Sequence, residues 1–418
     1  MQISTSLRRQ GISFTGFTIS TALAQLMVML FSLLLARYFG PEISGSYTSA
    51  FAIASLTAIA FNLGLDTWLL RAGALSQDLR KTFGDVLKTK AMAGVVWAFI
   101  LFGIATTLRP DLYPAGLLAV CILDVWFDSI FITSLAVMNT QRKIKQYSLL
   151  VLLSRGLKLL GLIILMAIAN QNILVFAGWR ASCSLVFALI AVTFLQPNLG
   201  EFSFSNVSEV FRKSRSYALS DLLATVYMQA DVVILSNFRG NIAAGIYSPA
   251  LSLINALFVF PNAVYTYVIP SLSRWLKEKS DKFVELARKL ILLVLIMGIA
   301  MSLATSLLGK PATGILLGDR YSKSGELMVR LSPILLLKCL EFGFAAIIVA
   351  ANKQKSRLIP QAIAALLNVG LNLVLIPRLG EFGAASVYLV TEIVLFVSYG
   401  IIAYKTLKAI RKENVERT

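Results

Sequence analysis

Runs of about 20 predominantly apolar residues follow one another along the whole chain of 418 residues. A helix of that length crosses the hydrocarbon core of a bilayer, about 30 Å thick, with its backbone hydrogen bonds made internally. Only 14% of the residues are charged and 57% are hydrophobic, unlike a soluble domain. The pattern predicts an all-α integral membrane protein with twelve transmembrane helices. We place them at 15–36, 44–68, 91–108, 114–136, 147–169, 173–195, 216–236, 245–270, 288–308, 328–350, 358–376 and 383–404.

Positive charge is distributed unevenly between the loops of this segmentation. Most of the 39 Lys and Arg residues lie at the termini and in the loops that follow even-numbered helices. Because positively charged loops stay in the cytoplasm, both termini are expected there. The apolar run after Arg8 and Arg9 is too long for a cleaved signal peptide and is expected to be retained. Nucleic-acid binding would also suit a net charge of +18, but these charges are dispersed over many short segments.

Residue types that bind metals or carry acid–base chemistry are scarce. The chain has no histidine, and Cys121, Cys183 and Cys339 lie in three different apolar runs without metal-ligand spacing. The Gly-Lys pair in LLGKPATG lacks the earlier glycine of a phosphate-binding loop. No metal and no other cofactor is expected, and the sequence is not typical of an enzyme.

Two stretches that lie 200 residues apart share sequence. LARYFGPEISGSYTSA at 35–50 returns as LSNFRGNIAAGIYSPA at 235–250, with two glycines and a tyrosine at the same positions. A second pair, at 139–165 and 352–378, joins a basic loop to an apolar run. These pairs predict two six-helix lobes, 1–205 and 206–418. Since six is even, both lobes enter from the same side, so a pseudo-two-fold axis along the membrane normal is expected.

Four basic residues within the predicted spans indicate a binding path for anions. Arg155 and Lys158 share a face of the fifth helix, Arg180 lies on the sixth and Lys338 on the tenth. Embedded charges are costly and should face protein or water. Together these cations predict a site for pyrophosphate or anionic sugar, since Arg can donate two parallel hydrogen bonds to phosphate. The alternative is that they neutralise embedded acids, which Glu341 favours for Lys338.

Embedded carboxylates are candidates for ion coupling. Asp124 and Asp128 are four residues apart on the fourth helix, where two nearby carboxylates can hold one proton between them. Pairing with Arg155 is the structural alternative. Asp231 is interpreted as a coupling carboxylate or as the cap of a break in the seventh helix near 237. Glu341 is the fourth candidate.

Three stretches resemble polysaccharide flippases of the O-antigen type. They are ARYFGPEISGSYTSAFAIASLTAIAFNLGLDTWLLR at 36–71, ADVVILSNFRGNIAAGIYSPALSLINAL at 230–257 and NVGLNLVLIPRLGEFGAASVYLVTEI at 368–393. Such flippases belong to the multidrug, oligosaccharidyl-lipid and polysaccharide exporter superfamily. The similarity extends in order over essentially the whole chain.

The resemblance implies alternating access between two six-helix lobes. The expected cargo is an undecaprenyl-pyrophosphate-linked oligosaccharide, moved to the outer leaflet of the bacterial cytoplasmic (inner) membrane with coupling to H⁺ or Na⁺. Membrane lipid is then a partner, and the polysaccharide polymerase machinery is a further candidate. The twelve spans lack the two extra C-terminal helices of lipid II flippases, so that branch is not expected. A cation-coupled drug exporter and a polytopic sugar-polymer enzyme remain as alternatives.

Overall fold

The computed structural model describes residues 2–73, 78–199, 204–278 and 280–415, and within these ranges the backbone forms helices and connecting turns. The α-helices are α1 (Gln2–Thr57), α2 (Ile59–Asn62), α3 (Leu65–Gly73), α4 (Leu79–Leu108), α5 (Ala115–Thr140), α6 (Ile144–Ala167), α7 (Ile173–Leu195), α8 (Phe204–Leu257), α9 (Val259–Glu278), α10 (Ser280–Leu317), α11 (Ser322–Ala350), α12 (Leu358–Leu379) and α13 (Glu381–Val415). Short 3₁₀ helices precede α11 and α12. The predicted all-α class is confirmed.

Ten helical segments in the described ranges are long and apolar enough to cross a membrane, so the chain is a multi-pass membrane protein. Two of them, Ile19–Asn62 and Tyr217–Leu276, have 44 and 60 residues. One crossing needs only about 20 residues. The prediction of twelve crossings requires each of these two segments to cross twice, and it stays a prediction.

Both long segments are interrupted by a glycine. Gly40 in α1 has φ 76° and ψ 173°, and Gly240 in α8 has φ 82° and ψ 177°. A positive φ with an extended ψ is accessible essentially to glycine alone. Pro41 follows the first break, at a position where a new helix tolerates proline because no backbone donor is needed there. The first of the two shared glycine positions, Gly40 in one stretch and Gly240 in the other, thus produces the same interruption twice.

The turns after α5 and α11 also match each other. In each, three successive N–H groups donate to carbonyls four, three and five residues earlier, at 2.9–3.0 Å. The middle residue has a positive φ in both, 56° at Arg142 and 58° at Asn352. The turn after α6 has the same pattern, with a φ of 54° at Ala169, so this form of helix ending is not specific to the second predicted repeat. The relation between whole six-helix lobes stays a prediction.

The chain forms two compact units, Met1–Gly245 and Ile246–Thr418. In the first unit, large buried side chains such as Phe39, Phe61 and Trp97 form a core between α1, α2, α4, α5 and α7. In the second unit, α11 packs against α9, α10 and α13. The predicted lobe boundary at 205 lies near the start of α8, whose first part belongs to the first unit, and it stays a prediction.

The third predicted span is wrong at its N-terminal end, because the helix begins earlier than predicted. α4 begins at Leu79, whereas the apolar run predicted a start at 91. The side chain of Asp78 accepts a hydrogen bond from the Lys81 N–H (3.0 Å) and caps the helix. The helix therefore continues through a polar stretch that a search for apolar runs leaves out. As a consequence, Lys90 lies inside the helix bundle.

Candidate functional site

Polar side chains from four helices form one connected network in the first unit. α5 supplies both predicted acids, because a spacing of four residues places them on one helix face. α6 and α7 supply three of the four predicted cations. The members are Tyr47, Asp124, Asp128, Arg155, Lys158, Arg180 and Ser184.

Asp128 accepts hydrogen bonds from two cations. Arg155 Nη1 donates to Oδ1 at 3.1 Å and Nη2 donates to Oδ2 at 3.3 Å, so the pair is held by two parallel bonds. Lys158 Nζ donates to the same Oδ1 at 2.9 Å. The Arg155 and Asp128 side chains remain 21% and 18% exposed. They form the accessible edge of the network.

Asp124 lies at the buried side of the network. Its Oδ2 is 2.8 Å from Arg180 Nε, and its Oδ1 accepts a hydrogen bond from the Ser184 hydroxyl at 2.5 Å. The Ser184 hydroxyl in turn accepts from Lys158 Nζ at 2.7 Å. The Lys158 and Asp124 side chains are only 5% and 4% exposed, and Nζ lies 3.8 Å from Oδ1. Lys158 and Ser184 therefore link the two carboxylates.

Aromatic rings enclose the guanidinium of Arg180. Its central carbon lies 4.1 Å from the ring centroid of Phe51, 5.5 Å from that of Phe31 and 6.0 Å from that of Tyr47. Nη1 donates to the Tyr47 hydroxyl at 2.6 Å. Cation–π contacts and an ion pair with Asp124 thus fix this side chain from several directions.

The network holds three cations and two carboxylates, which gives it a formal charge of +1. For Arg155, the structure contains the ion pair that the structural alternative predicted, because Arg155 pairs with Asp128. Asp124 pairs with Arg180 instead of Arg155, because α7 brings the Arg180 side chain to that end of α5. The roles of these residues in cargo binding and ion coupling stay predictions.

The fourth predicted cation, Lys338, lies in the second unit. Its Nζ is 2.9 Å from Glu341 Oε2, so the predicted pair on α11 is present. It is also 2.9 Å from Oε2 of Glu392 on α13, whose side chain is fully buried. One cation and two carboxylates give this cluster a formal charge of −1. Cargo binding by Lys338 and ion coupling by Glu341 stay predictions.

Asp231 is buried in α8, in the first unit. Its Oδ1 accepts a hydrogen bond from the Val232 N–H at 2.8 Å. The break in this helix lies at Gly240. That is more than two turns from Asp231, so the capping interpretation is wrong. Coupling by Asp231 stays a prediction.

Lys90 is an embedded cation that lies outside the predicted spans. Its Nζ lies 2.9 Å from both carboxylate oxygens of Asp66 and donates to the hydroxyls of Ser129 (2.9 Å) and Thr133 (2.7 Å). The Thr133 hydroxyl lies 2.7 Å from Asp66 and can donate to it. The sequence contained one sign of this cation, namely Asp66. This acid lies in an apolar run and has no cation one turn away on its own helix, so it needs a partner from another helix.

The repeated glycine stretches contact each other in the first unit. Asn241 Nδ2 donates to Ser46 Oγ and to the carbonyl of Leu112, both at 3.1 Å. One turn earlier, Asn237 Nδ2 donates to the Tyr113 hydroxyl at 2.8 Å. The residues on both sides of Gly240 are thus tied to the loop between α4 and α5, and Asn241 is also tied to α1.

Arg109 of that loop adds a further contact to the same region. Its Nη1 donates to the carbonyl of Asn237 at 3.1 Å. Its Nε and Nη2 lie 3.4 Å from the two carboxylate oxygens of Asp111. This hydrogen bonding lowers the pKa of Asp111 below its usual range, so the carboxylate stays ionised at neutral pH.

A family described as "Polysaccharide biosynthesis protein" matches residues 34–326 of the chain. The chain belongs to this polysaccharide biosynthesis family. The resemblance to polysaccharide flippases is thereby confirmed. The capsular polysaccharide biosynthesis protein CapF of Staphylococcus aureus is 24% identical over 224 residues, 52% of this chain and 57% of CapF. The similarity thus spans about half the length of that curated relative.

Solved structures of transporters share the fold. The lipid II flippase MurJ in an inward closed conformation is similar with a TM-score of 0.77 and 13% identity, over 94% of this chain and 89% of MurJ. An inward-facing multidrug resistance MATE family transporter of the MOP superfamily gives a TM-score of 0.66 and 13% identity, over 95% and 96% of the two chains. This family member therefore shares its fold with both transporters.

Proposed function

We propose that the protein is a flippase that moves undecaprenyl-pyrophosphate-linked oligosaccharide units from the cytoplasmic to the outer leaflet by alternating access. The observation that carries the proposal is the basic network of the first unit, in a chain that belongs to a polysaccharide biosynthesis family. Three cations embedded in membrane helices cost free energy, and residues of this kind mark substrate or ion pathways. A pyrophosphate group needs such a path to cross the hydrocarbon core.

The cations hold the charged part of the cargo in this proposal. Arg155, Lys158, Arg180 and Lys338 bind the pyrophosphate or acidic sugars at successive stages, while the polyprenyl tail stays in lipid. Arg155 is the first contact, because its side chain is the most exposed of the four (21%, against 17% for Arg180) and its fork of donors fits a phosphate oxyanion. The protein acts as a transporter and not as an enzyme, in the bacterial inner membrane with both termini in the cytoplasm.

Coupling to an H⁺ or Na⁺ gradient supplies the direction of transport. Asp124, Asp128, Asp231 and Glu341 are the candidate coupling residues. Asp124→Asn and Asp128→Asn are expected to change the dependence of export on an imposed ion gradient. An unchanged gradient response in both variants would remove these two acids from the coupling mechanism.

Complementation of a flippase-null bacterium tests the proposal. The wild-type protein should restore display of surface polysaccharide when its cognate oligosaccharide is made. Arg155→Ala and Arg180→Ala should abolish display at normal protein levels, while the Lys replacements keep part of it. Lys289→Ala is the matched control, since Lys289 is an exposed cation paired with Glu285 on its own helix. Full display in both Arg→Ala variants would contradict the assigned binding role.

The fold shared with the MATE family transporter favours a second candidate, a cation-coupled multidrug exporter. The same null strain distinguishes the two. A drug exporter raises resistance to cationic compounds without restoring polysaccharide display. If the protein were a sugar-polymer enzyme, a strain that lacks it would still export single units. A strain that lacks a flippase instead retains lipid-linked units at the cytoplasmic face, before they reach the polymerase machinery.

A further inference from the structure

Asp128 occupies the donors that a phosphate group of the cargo would need. Arg155 directs two parallel N–H groups at its carboxylate, and Lys158 adds a third donor to Oδ1. This is also the geometry in which arginine binds a phosphate oxyanion. A cargo phosphate therefore cannot take the full set of donors while Asp128 holds them.

Charge and exposure distinguish Asp128 from the other acid of the network. Arg155, Lys158 and Asp128 together carry +1, and removal of the carboxylate leaves +2. A pyrophosphate diester that joins a lipid to a sugar carries two negative charges, which match the two released cations. Asp128 lies at the accessible edge, whereas Asp124 is 4% exposed and also holds Ser184 and Arg180. Only the Asp128 carboxylate is placed to exchange with an incoming anion.

We propose that Asp128 is a displaceable counter-ion that stands in for the cargo's phosphate in the empty site and expels it after translocation. Binding moves Arg155 and Lys158 from Asp128 to the phosphate. The Asp128 carboxylate stays tethered next to both cations at a high effective concentration. It therefore competes with the bound phosphate for these cations and speeds release of the cargo. Asp124 and Ser184 hold Lys158 in place during the exchange. This inference rests on the proposed function and assigns Asp128 a role in cargo release.

A displaceable counter-ion and a purely structural ion pair predict opposite effects of the same substitution. Asp128→Asn should bind the anion more tightly, because an amide competes far less for guanidinium and ammonium groups than a carboxylate does. A structural role predicts weaker binding, since the cations would lose their support. Although binding becomes tighter, export by Asp128→Asn should become slower. The KM for cargo should fall with the tighter binding, and the maximal rate should fall because release is slowed.

The test is calorimetric titration of full-length detergent-purified protein with inorganic pyrophosphate and, separately, with farnesyl pyrophosphate. Asp128→Asn should lower the Kd by about tenfold, a change within the range of one charged hydrogen bond. The double variant Asp128→Asn/Arg155→Ala should lose that gain. Asp66→Asn is the matched control, because it removes the same charge from the Lys90 pair, away from Arg155. Tighter binding of the farnesyl probe alone would identify the lipid-linked phosphate as the ligand, and an equal gain for both probes would identify the phosphate group itself.

A Kd that is unchanged or raised in folded Asp128→Asn overturns the inference. Folding is checked by the thermal unfolding midpoint and by monodisperse elution. If the Asn variant does not fold, Asp128→Ser is titrated and interpreted in the same way. The proposed function fails by a different result, namely that wild-type protein does not restore polysaccharide display. Restored display with an unchanged Kd in the Asn variant would therefore reject the counter-ion role alone.

Discussion

Gly45 on α1 and Gly245 on α8 are in direct backbone contact. A Cβ atom on Gly45 would collide with the carbonyl of Asn241, and a Cβ atom on Gly245 would collide with the carbonyl of Pro41. Residue 45 meets residue 241 while residue 245 meets residue 41, so the contact is reciprocal, like the interface of a symmetric dimer. Glycine is therefore required at positions 45 and 245 by this close approach.

We predict that Gly245→Ala destabilises the protein by about 1–3 kcal/mol, the usual cost of overpacking a tight contact. The added methyl group must push α8 away from α1. The measurement is the thermal unfolding midpoint of the detergent-purified protein. Gly103→Ala is the control, because a Cβ there has no atom within 4 Å and alanine favours a helix. Equal midpoints for the two variants would contradict the prediction.

A cross-link between the repeated stretches should stop transport. Alternating access requires contacts between the two repeats to open during the cycle, and the Ser46–Asn241 hydrogen bond lies in one of them. We predict that Ser46→Cys/Asn241→Cys, in a background without the three native cysteines, loses export when joined by a short bis-thiosulfonate. Export is measured as polysaccharide display.

The matched control for this cross-link is Ser20→Cys/Ser148→Cys. These hydroxyls lie 2.9 Å apart on α1 and α6, both within the first predicted lobe. Joining them should leave export intact, because the helices of one lobe are expected to move together. Full export by the cross-linked Ser46/Asn241 pair would show that this contact does not open.

Lys90 should contribute to stability through Asp66. We predict that Lys90→Met lowers the free energy of unfolding by about 3–5 kcal/mol, because it leaves a carboxylate without its cation in the bundle. The double variant Lys90→Met/Asp66→Leu should recover most of this loss, since no unpaired charge remains. Denaturant or thermal unfolding measures both. If the single and double variants have equal stability, the pair is not the source of the effect.

Lys338 should also contribute to stability, through its two carboxylate partners in the second unit. Lys338→Met leaves Glu341 and Glu392 without their shared cation, so protein yield and unfolding midpoint should fall. Adding Glu392→Gln should restore part of the stability. Arg155→Ala, at the accessible edge of its network, should keep a normal yield and lose export. A normal yield together with lost export in Lys338→Met would favour the predicted role in cargo binding.

Local features of the site could be predicted from the sequence. The Lys338–Glu341 pair is an example, because a spacing of three residues on one helix fixes the proximity. The breaks at Gly40 and Gly240 lie in the gaps between predicted spans, because the apolar runs stop at 36 and 236 and resume at 44 and 245. The all-helical membrane class followed from the apolar runs alone.

Contacts between helices could not be predicted in the same way. Asp124 and Asp128 share a helix face, yet which cation each one meets depends on the depth and rotation of α6 and α7. Lys90 was missed because α4 extends through polar turns that carry no apolar signal. Tyr47 enters the network only through the packing of α1 against α7.

Translocation by the purified protein in lipid vesicles tests the flippase proposal most directly. The vesicles contain an undecaprenyl-pyrophosphate-linked oligosaccharide, and added periodate, which does not cross the membrane, reports the sugars on the outer face. With wild-type protein or Lys289→Ala, we predict that sugars initially protected inside become oxidised over time. With Arg155→Ala, oxidation should stop at the level of protein-free vesicles. Oxidation by the wild-type protein that never exceeds the protein-free level would contradict the account.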